Sequence, residues 1–244
     1  MNLNIKNNKI FYIFSSIIGI VFCSLIFVAS GKISSKISAE INNSSNTKTV
    51  ILDAGHGGED GGAVGLNNII EKDVNLKIAL KLRDLLNISG YKVIMTREKD
   101  EAIYDNNSVT LRQKKVSDLR NRKEIINKNK NNNTIFVSIH QNKFKDPKYF
   151  GTQIFYSKND PKSQELAMKT RESVTSLIQP ENTREIKPAT GKIYLLNNAQ
   201  IPAIVIECGF LSNPEEAQKL SDNNYQQQLA FSILCGISNY FINN

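Results

Sequence analysis

Five short runs rich in β-branched and aromatic residues punctuate this chain: TVILDAG from Thr49, YKVIMTR from Tyr91, TIFVSIH from Thr134, GTQIFYS from Gly151 and AIVIECGF from Ala203. Each has the length and composition of a β-strand. Segments of helical spacing lie between them. Asp73 to Ile88 repeats Leu76, Ala79, Leu80, Leu82 and Leu86 near the helical period, with Asp73 available as a cap and Gly90 as the stop. Val109 to about Lys130 is a charged helix whose Leu111, Val116, Leu119, Ile125 and Ile126 make only a loose apolar face. Pro161 opens a third helix, and YQQQLAFSILCGISNYFI from Tyr225 is the last. Strands that alternate with helices form an α/β fold: a single domain with a mixed, mostly parallel sheet and helices on both faces.

Ahead of this pattern, Lys6 and Lys9 precede an uncharged run of 21 residues, Ile10 to Ser30. A bilayer-spanning helix needs about 20 apolar residues, whereas the apolar part of a cleaved signal runs about 7–15. The expectation is a basic cytoplasmic N-terminus over residues 1–9, then a transmembrane anchor, or a signal that is cleaved, over 10–30, which leaves the protein membrane-anchored or secreted. A polar Ser/Asn-rich linker follows over 31–48, and an exported domain over 49–244. The domain is therefore expected outside the cytoplasm, in the cell envelope.

The formal charge is +8, of which +4 falls in residues 1–48. No run of five or more basic residues occurs, and aromatics do not interleave with the basic ones, so a nucleic-acid partner is not expected. The three cysteines, Cys23, Cys208 and Cys235, show no C-x-x-C spacing and read as free thiols.

The chain has two histidines, and both stand at strand ends: His56 in LDAGHGGEDGG, among five glycines, and His140 closing TIFVSIH. Sites in open α/β sheets collect outside the carboxyl ends of the strands. Two imidazoles and one carboxylate make a catalytic zinc set that leaves a position open. From the residues alone, the carboxylate is one of Asp53, Glu59, Asp60, Glu71, Asp73 and Glu207. Glu207 is set apart by its place in an apolar strand, where a carboxylate is costly unless it is paired, coordinated or used. A cysteine nucleophile at Cys208 is disfavoured because its side chain alternates away from Glu207. A phosphate loop is disfavoured because GHGGEDGG lacks the G-K-[ST] ending and carries two acids.

Taken together, ILDAGHGGEDGGAVG, IIEKDVNLKIALKLRDLL, YKVIMTR, FVSIHQN and IPAIVIECGFLSNPEEAQKL resemble the zinc-dependent N-acetylmuramoyl-L-alanine amidases of the Amidase_3 type, over about residues 49–242. The short anchor and bare catalytic domain resemble, within that family, the sporulation and germination amidases of the CwlD kind. The resemblance implies one zinc ion held by His56, Glu71 and His140, with Glu207 as the catalytic acid/base. It implies peptidoglycan as substrate, cleaved at the amide between muramic acid and L-alanine. Asn142, Arg184 and Lys187 are the substrate contacts it suggests. Where the family often has SIHAN, this chain has SIHQN, which puts Gln141 and Lys143 on the expected rim of the groove. The absence of wall-binding repeats leaves positioning to the anchor, the groove or an accessory protein. The alternatives are a catalytically reduced wall scaffold and a zinc amide hydrolase of another substrate.

Overall fold

The computed structural model describes residues 47–244. The expected N-terminus, anchor and most of the linker, residues 1–46, lie outside the described residues, among which no helix is long and apolar enough to cross a membrane.

Six strands form one sheet: β1 (Thr49–Ala54), β2 (Lys92–Met95), β3 (Thr134–Asn142), β4 (Gln153–Tyr156), β5 (Lys187–Pro188) and β6 (Ala203–Phe210), in the order β2-β1-β3-β6-β4-β5. β2, β1, β3 and β6 run parallel, while β4 lies antiparallel to β6 and parallel to β5. The expected mixed, mostly parallel sheet is present. β5 is a two-residue strand with no β-branched run, and no periodicity announces it.

Alternation along the strands sorts side chains to two unequal faces. Val50, Leu52 and Ala54 of β1, Val137 and Ile139 of β3, and Ile204, Ile206 and Cys208 of β6 point into the larger core. There they meet α1 (Glu71–Ile88), α3 (Lys162–Leu177) and α6 (Asn223–Ile242) through Val74, Ile78 and Leu82, Leu166 and Val174, and Leu229, Ile233 and Ile237. Ile51, Phe136, Ala203 and Val205 point the other way. They pack under α2 (Leu111–Asn129) and the short α4 (Tyr194–Asn198) through Ile126, Leu195 and Leu196. α5 (Pro214–Ser221) joins β6 to α6 and opens on Asn213, whose side chain accepts from the amides of Glu215 and Glu216.

Two local expectations change. α1 begins at Glu71 with Ile70 at its cap position, so Asp73 lies inside the first turn, where its charge suits the helix dipole, instead of capping. α2 is capped by Thr110 and Gln113, which bond each other's backbone amides reciprocally. Its buried residues are Ser117, Arg122 and Ile126, while Leu111 and Val116 are exposed. Its apolar face is loose because an arginine occupies the centre of it.

Candidate metal centre

β1 ends at Ala54, and the chain turns at once through Gly55 and His56. His56 itself adopts φ 63°, a left-handed conformation uncommon outside glycine and found where surrounding structure enforces it. Two arginines enforce it. Arg122 donates from Nη2 to the His56 carbonyl at 2.8 Å and from Nη1 to Ala54 at 2.9 Å. Arg97, at the end of β2, donates to the carbonyls of Ala54 at 2.8 Å and Gly55 at 3.0 Å. Arg122 is in turn held by Asp53, which also accepts from Thr96 and Ser138. Burial works against the charge on Asp53, but the Arg122 guanidinium and the two hydroxyls outweigh it and hold the carboxyl at about 2.

The glycines flanking His56 are there for space. A Cβ on Gly55 would lie 2.2 Å from His140 Nε2, and one on Gly62 would lie 2.6 Å from Glu71 Oε2 and 2.7 Å from His56 Cδ2. Any side chain at either position would occupy ground the site needs.

His140 and Glu207 are register partners on β3 and β6, on the α2 face. Beyond His140 the register shifts before Asn142, an irregularity of the kind that re-aims a strand end. Glu71 reaches the histidines from the first residue of α1. Its Oε2 accepts from the Ala63 amide at 2.8 Å and its Oε1 from the Gln141 amide at 3.1 Å. The same Oε1 lies 3.0 Å from His140 Nδ1 and 3.3 Å from His56 Nε2. His56, Glu71 and His140 each offer a ligand atom, all within 4.8 Å of one another.

This set fits a cation. His56 Nδ1 lies 2.9 Å from Asp60 Oδ2, so in the neutral ring Nδ1 carries the proton and Nε2 turns a lone pair toward Glu71. An imidazole lone pair against a carboxylate is repulsive unless positive charge sits between them. Without a metal, protons must supply it. Burial disfavours a charged His56, yet Asp60 and Glu71 overcome that and raise it to about 9. Burial likewise opposes ionised Glu71, but bonds from His140 and His56 hold it well below the usual carboxylate range. Two imidazoles and one carboxylate, with a further carboxylate behind His56, are a group that could hold a metal ion, and catalytic zinc sites use donors of these types.

Glu207 stands beside this group with a different character. Its Oε2 is buried without a hydrogen-bond partner. Burial pushes its carboxyl up to about 7, with the nearby Glu71 adding to the rise and the two histidines opposing it. A carboxyl poised near neutrality beside a cation site suits proton transfer.

The other expected residues lie further out. Asn142, at the end of β3, accepts from the Lys143 amide at 2.8 Å. The Arg184 guanidinium sits 4.5 Å above the Phe210 ring and donates to the Phe150 carbonyl at 2.6 Å. Lys187 is exposed on β5 at the sheet edge. Gln141 is not on the rim: it is buried, donating to Asn75 Oδ1 at 3.2 Å, because alternation from His140 turns it to the α1 face. Lys143 is exposed and donates to the Val64 carbonyl at 2.7 Å. Cys208 is fully buried in the larger core, and burial pushes its thiol far above the usual range, which excludes it as a nucleophile. Sequence reasoning did not find Arg97, Arg122 or the support role of Asp60. Arg122 carried a signal, a charged residue where α2 should be apolar.

A mostly parallel α/β sheet that brings two strand-end histidines and a helix-start carboxylate together, with a buried acid alongside, is an arrangement suited to a hydrolase. The family N-acetylmuramoyl-L-alanine amidase matches residues 50–239, and the chain belongs to that family. It is 39% identical over 194 residues to the germination-specific N-acetylmuramoyl-L-alanine amidase of Bacillus subtilis (strain 168), covering 80% of each chain. In structure it is similar to the CwlD amidase from Clostridioides difficile, solved in complex with the GerS lipoprotein, at 46% identity and a TM-score of 0.77, over 81% of this chain and 100% of that one. The N-acetylmuramoyl-L-alanine amidase from Clostridium difficile 630 is similar at 31% identity and a TM-score of 0.70, over 82% of this chain and 99% of that one. The chain is a CwlD-like amidase, a hydrolase of peptidoglycan.

Proposed function

We propose that this enzyme cleaves the amide between the lactyl group of N-acetylmuramic acid and L-alanine, in the spore cortex during maturation or germination. His56, Glu71 and His140 hold zinc in this reading, and Glu207 moves the proton. Zinc, when bound, polarises the amide carbonyl and activates water for attack. Glu207 takes the proton from the attacking water and delivers it to the departing alanine nitrogen, one group serving as base and then acid. Its unpartnered Oε2 is the observation that carries the reading, since a carboxylate buried without a partner is retained at a cost only where it is used. Asp60 and the two arginines keep His56 aimed. Asn142, Arg184 and Lys187 are proposed as contacts to the outer parts of a long polymer.

Residues 10–30 are proposed to tether the domain outside the cytoplasm. A lipoprotein partner is proposed by analogy with the complex of the Clostridioides difficile amidase.

The test is to incubate the purified, zinc-loaded protein with cortex peptidoglycan and analyse the products by mass spectrometry. New L-alanine amino termini and peptide-free muramic acid, lost on chelation, are expected. A folded, zinc-loaded protein that cleaves neither cortex nor vegetative wall, with or without its lipoprotein partner, would favour the scaffold alternative.

A further inference from the structure

Two cavities flank His140 and share Leu119, His140 and Leu195 as a common wall. The first, of about 260 Å³, opens on the His56 side, between the glycine-rich loop and α2, with Tyr104 and Leu111 among its walls. The second, of about 230 Å³, opens on the other side and is lined by Glu207, Ser138, Val205, Lys192 and Tyr194.

Their cations differ. In the first cavity each is already engaged: Lys114 with Glu59 at 2.6 Å, Lys115 with Asp60 at 2.9 Å, and Arg122 with Asp53 and Asp118. The second contains Lys192, exposed on the turn before α4, and no ion pair among the described residues includes it. Glu207 is the one acid on that wall, and its unpartnered Oε2 does not take the lysine.

We infer that the Glu207 cavity receives the peptide side of the cleaved amide, and that Lys192 binds a free carboxylate on that peptide. The inference rests on the amidase reading above. A group that hands a proton to the leaving nitrogen must come within about 2.6–3.2 Å of it. The stem peptide continues from that nitrogen, so it runs into the cavity Glu207 lines, and the muramoyl sugar lies toward His56. In the stem the residue after L-alanine is a glutamate joined through its side-chain carboxyl, which leaves its α-carboxylate free. A lysine, a compact cation on a flexible stem, can follow such a group into a shallow exposed site. In stems whose glutamate is amidated this charge is missing. Lys192 therefore makes the enzyme selective for the unamidated peptide.

The test compares two defined muropeptides that differ only in carboxylate or carboxamide at that glutamate, using the full zinc-loaded chain. The wild type is expected to prefer the carboxylate in kcat/KM by roughly tenfold, the scale of one charged hydrogen bond. Lys192→Met loses the preference by slowing the carboxylate substrate, and Lys192→Arg retains it. Lys192 is exposed, so neither variant disturbs a core. Calorimetry with the two released stem peptides reads the same discrimination without turnover. Equal handling of both substrates and both peptides by the wild type, or a preference that survives Lys192→Met, overturns the inference. Carboxylate-selective, Lys192-dependent binding in a protein that cleaves neither substrate would uphold the site and sink the amidase reading instead.

Discussion

His56 Nδ1 and Asp60 Oδ2 stand 2.9 Å apart, four residues from each other on one glycine-rich loop. Asp60 uses its other oxygen for Lys115 of α2 at 2.9 Å and for the Gly62 amide at 3.3 Å. It therefore fixes three things at once: the tautomer of His56, the shape of the loop and the distance between that loop and α2.

Outer-shell carboxylates of this kind typically change metal affinity by about 10–100-fold. Asp60→Ala is expected to weaken zinc binding on that scale while leaving the fold intact. Competition with a chromophoric chelator measures it, and an unchanged affinity would remove the role assigned to Asp60.

Gly62→Ala and Gly55→Ala place a methyl against the proposed zinc ligands, 2.6 Å from Glu71 and 2.2 Å from His140. Gly62 also has φ 68°, which a side chain strains. Both variants should keep the far-ultraviolet circular dichroism of the wild type and bind little zinc. Gly191→Ala, with nothing within 4 Å of the added carbon, is the control.

Glu207→Gln is expected to retain zinc and lose most hydrolysis. It should also stabilise the metal-free protein at alkaline pH. Burial raises the Glu207 carboxyl from its ordinary 4.5 to about 7 on folding, so its ionised form costs stability increasingly as pH rises between those values, and the full cost is present above about 7. Denaturant titrations should show a gain on the order of 3 kcal/mol at pH 8 that vanishes near pH 4. The absence of any gain at pH 8 would mean that Glu207 is not held at a cost.

Arg122→Met leaves Asp53 buried and unpaired, which typically costs about 3–5 kcal/mol. In the wild type the Asp53 carboxyl is depressed to about 2, so its contribution to stability is complete above about 4 and is lost as pH falls through 2. The variant should thus lose most stability at neutral pH and little near pH 2. Asp53→Asn in the same background should recover part of the loss. A pH-independent loss would point to packing and not to the ion pair.

Much of this was legible in the chain. All five apolar runs are strands, and both histidines stand at the strand ends where an α/β sheet gathers its chemistry. Glu207 stood out as an acid in an apolar strand. Glu71 was not distinguishable by residue type from its five acidic rivals; only the family resemblance singled it out, because it comes from a helix start and meets the histidines through tertiary packing. The arginines were hidden for a similar reason. Arg97 and Arg122 bond backbone carbonyls, and a carbonyl has no residue type to read. The antiparallel direction of β4 was equally silent, since strand direction depends on pairings far apart in the chain, and the two-residue β5 is too short to leave a pattern.

The two faces of the sheet also differ in how much holds them. Three long helices are locked onto one side, whereas α2 and the five-residue α4 cover the other through a few apolar contacts and an arginine network. Segments with few buried contacts open more readily than the whole molecule unfolds. Hydrogen exchange should therefore find amides of α2 and α4 trading with solvent before those of α1, α3 and α6. The two helices expected to open first are the ones that line the two cavities beside His140.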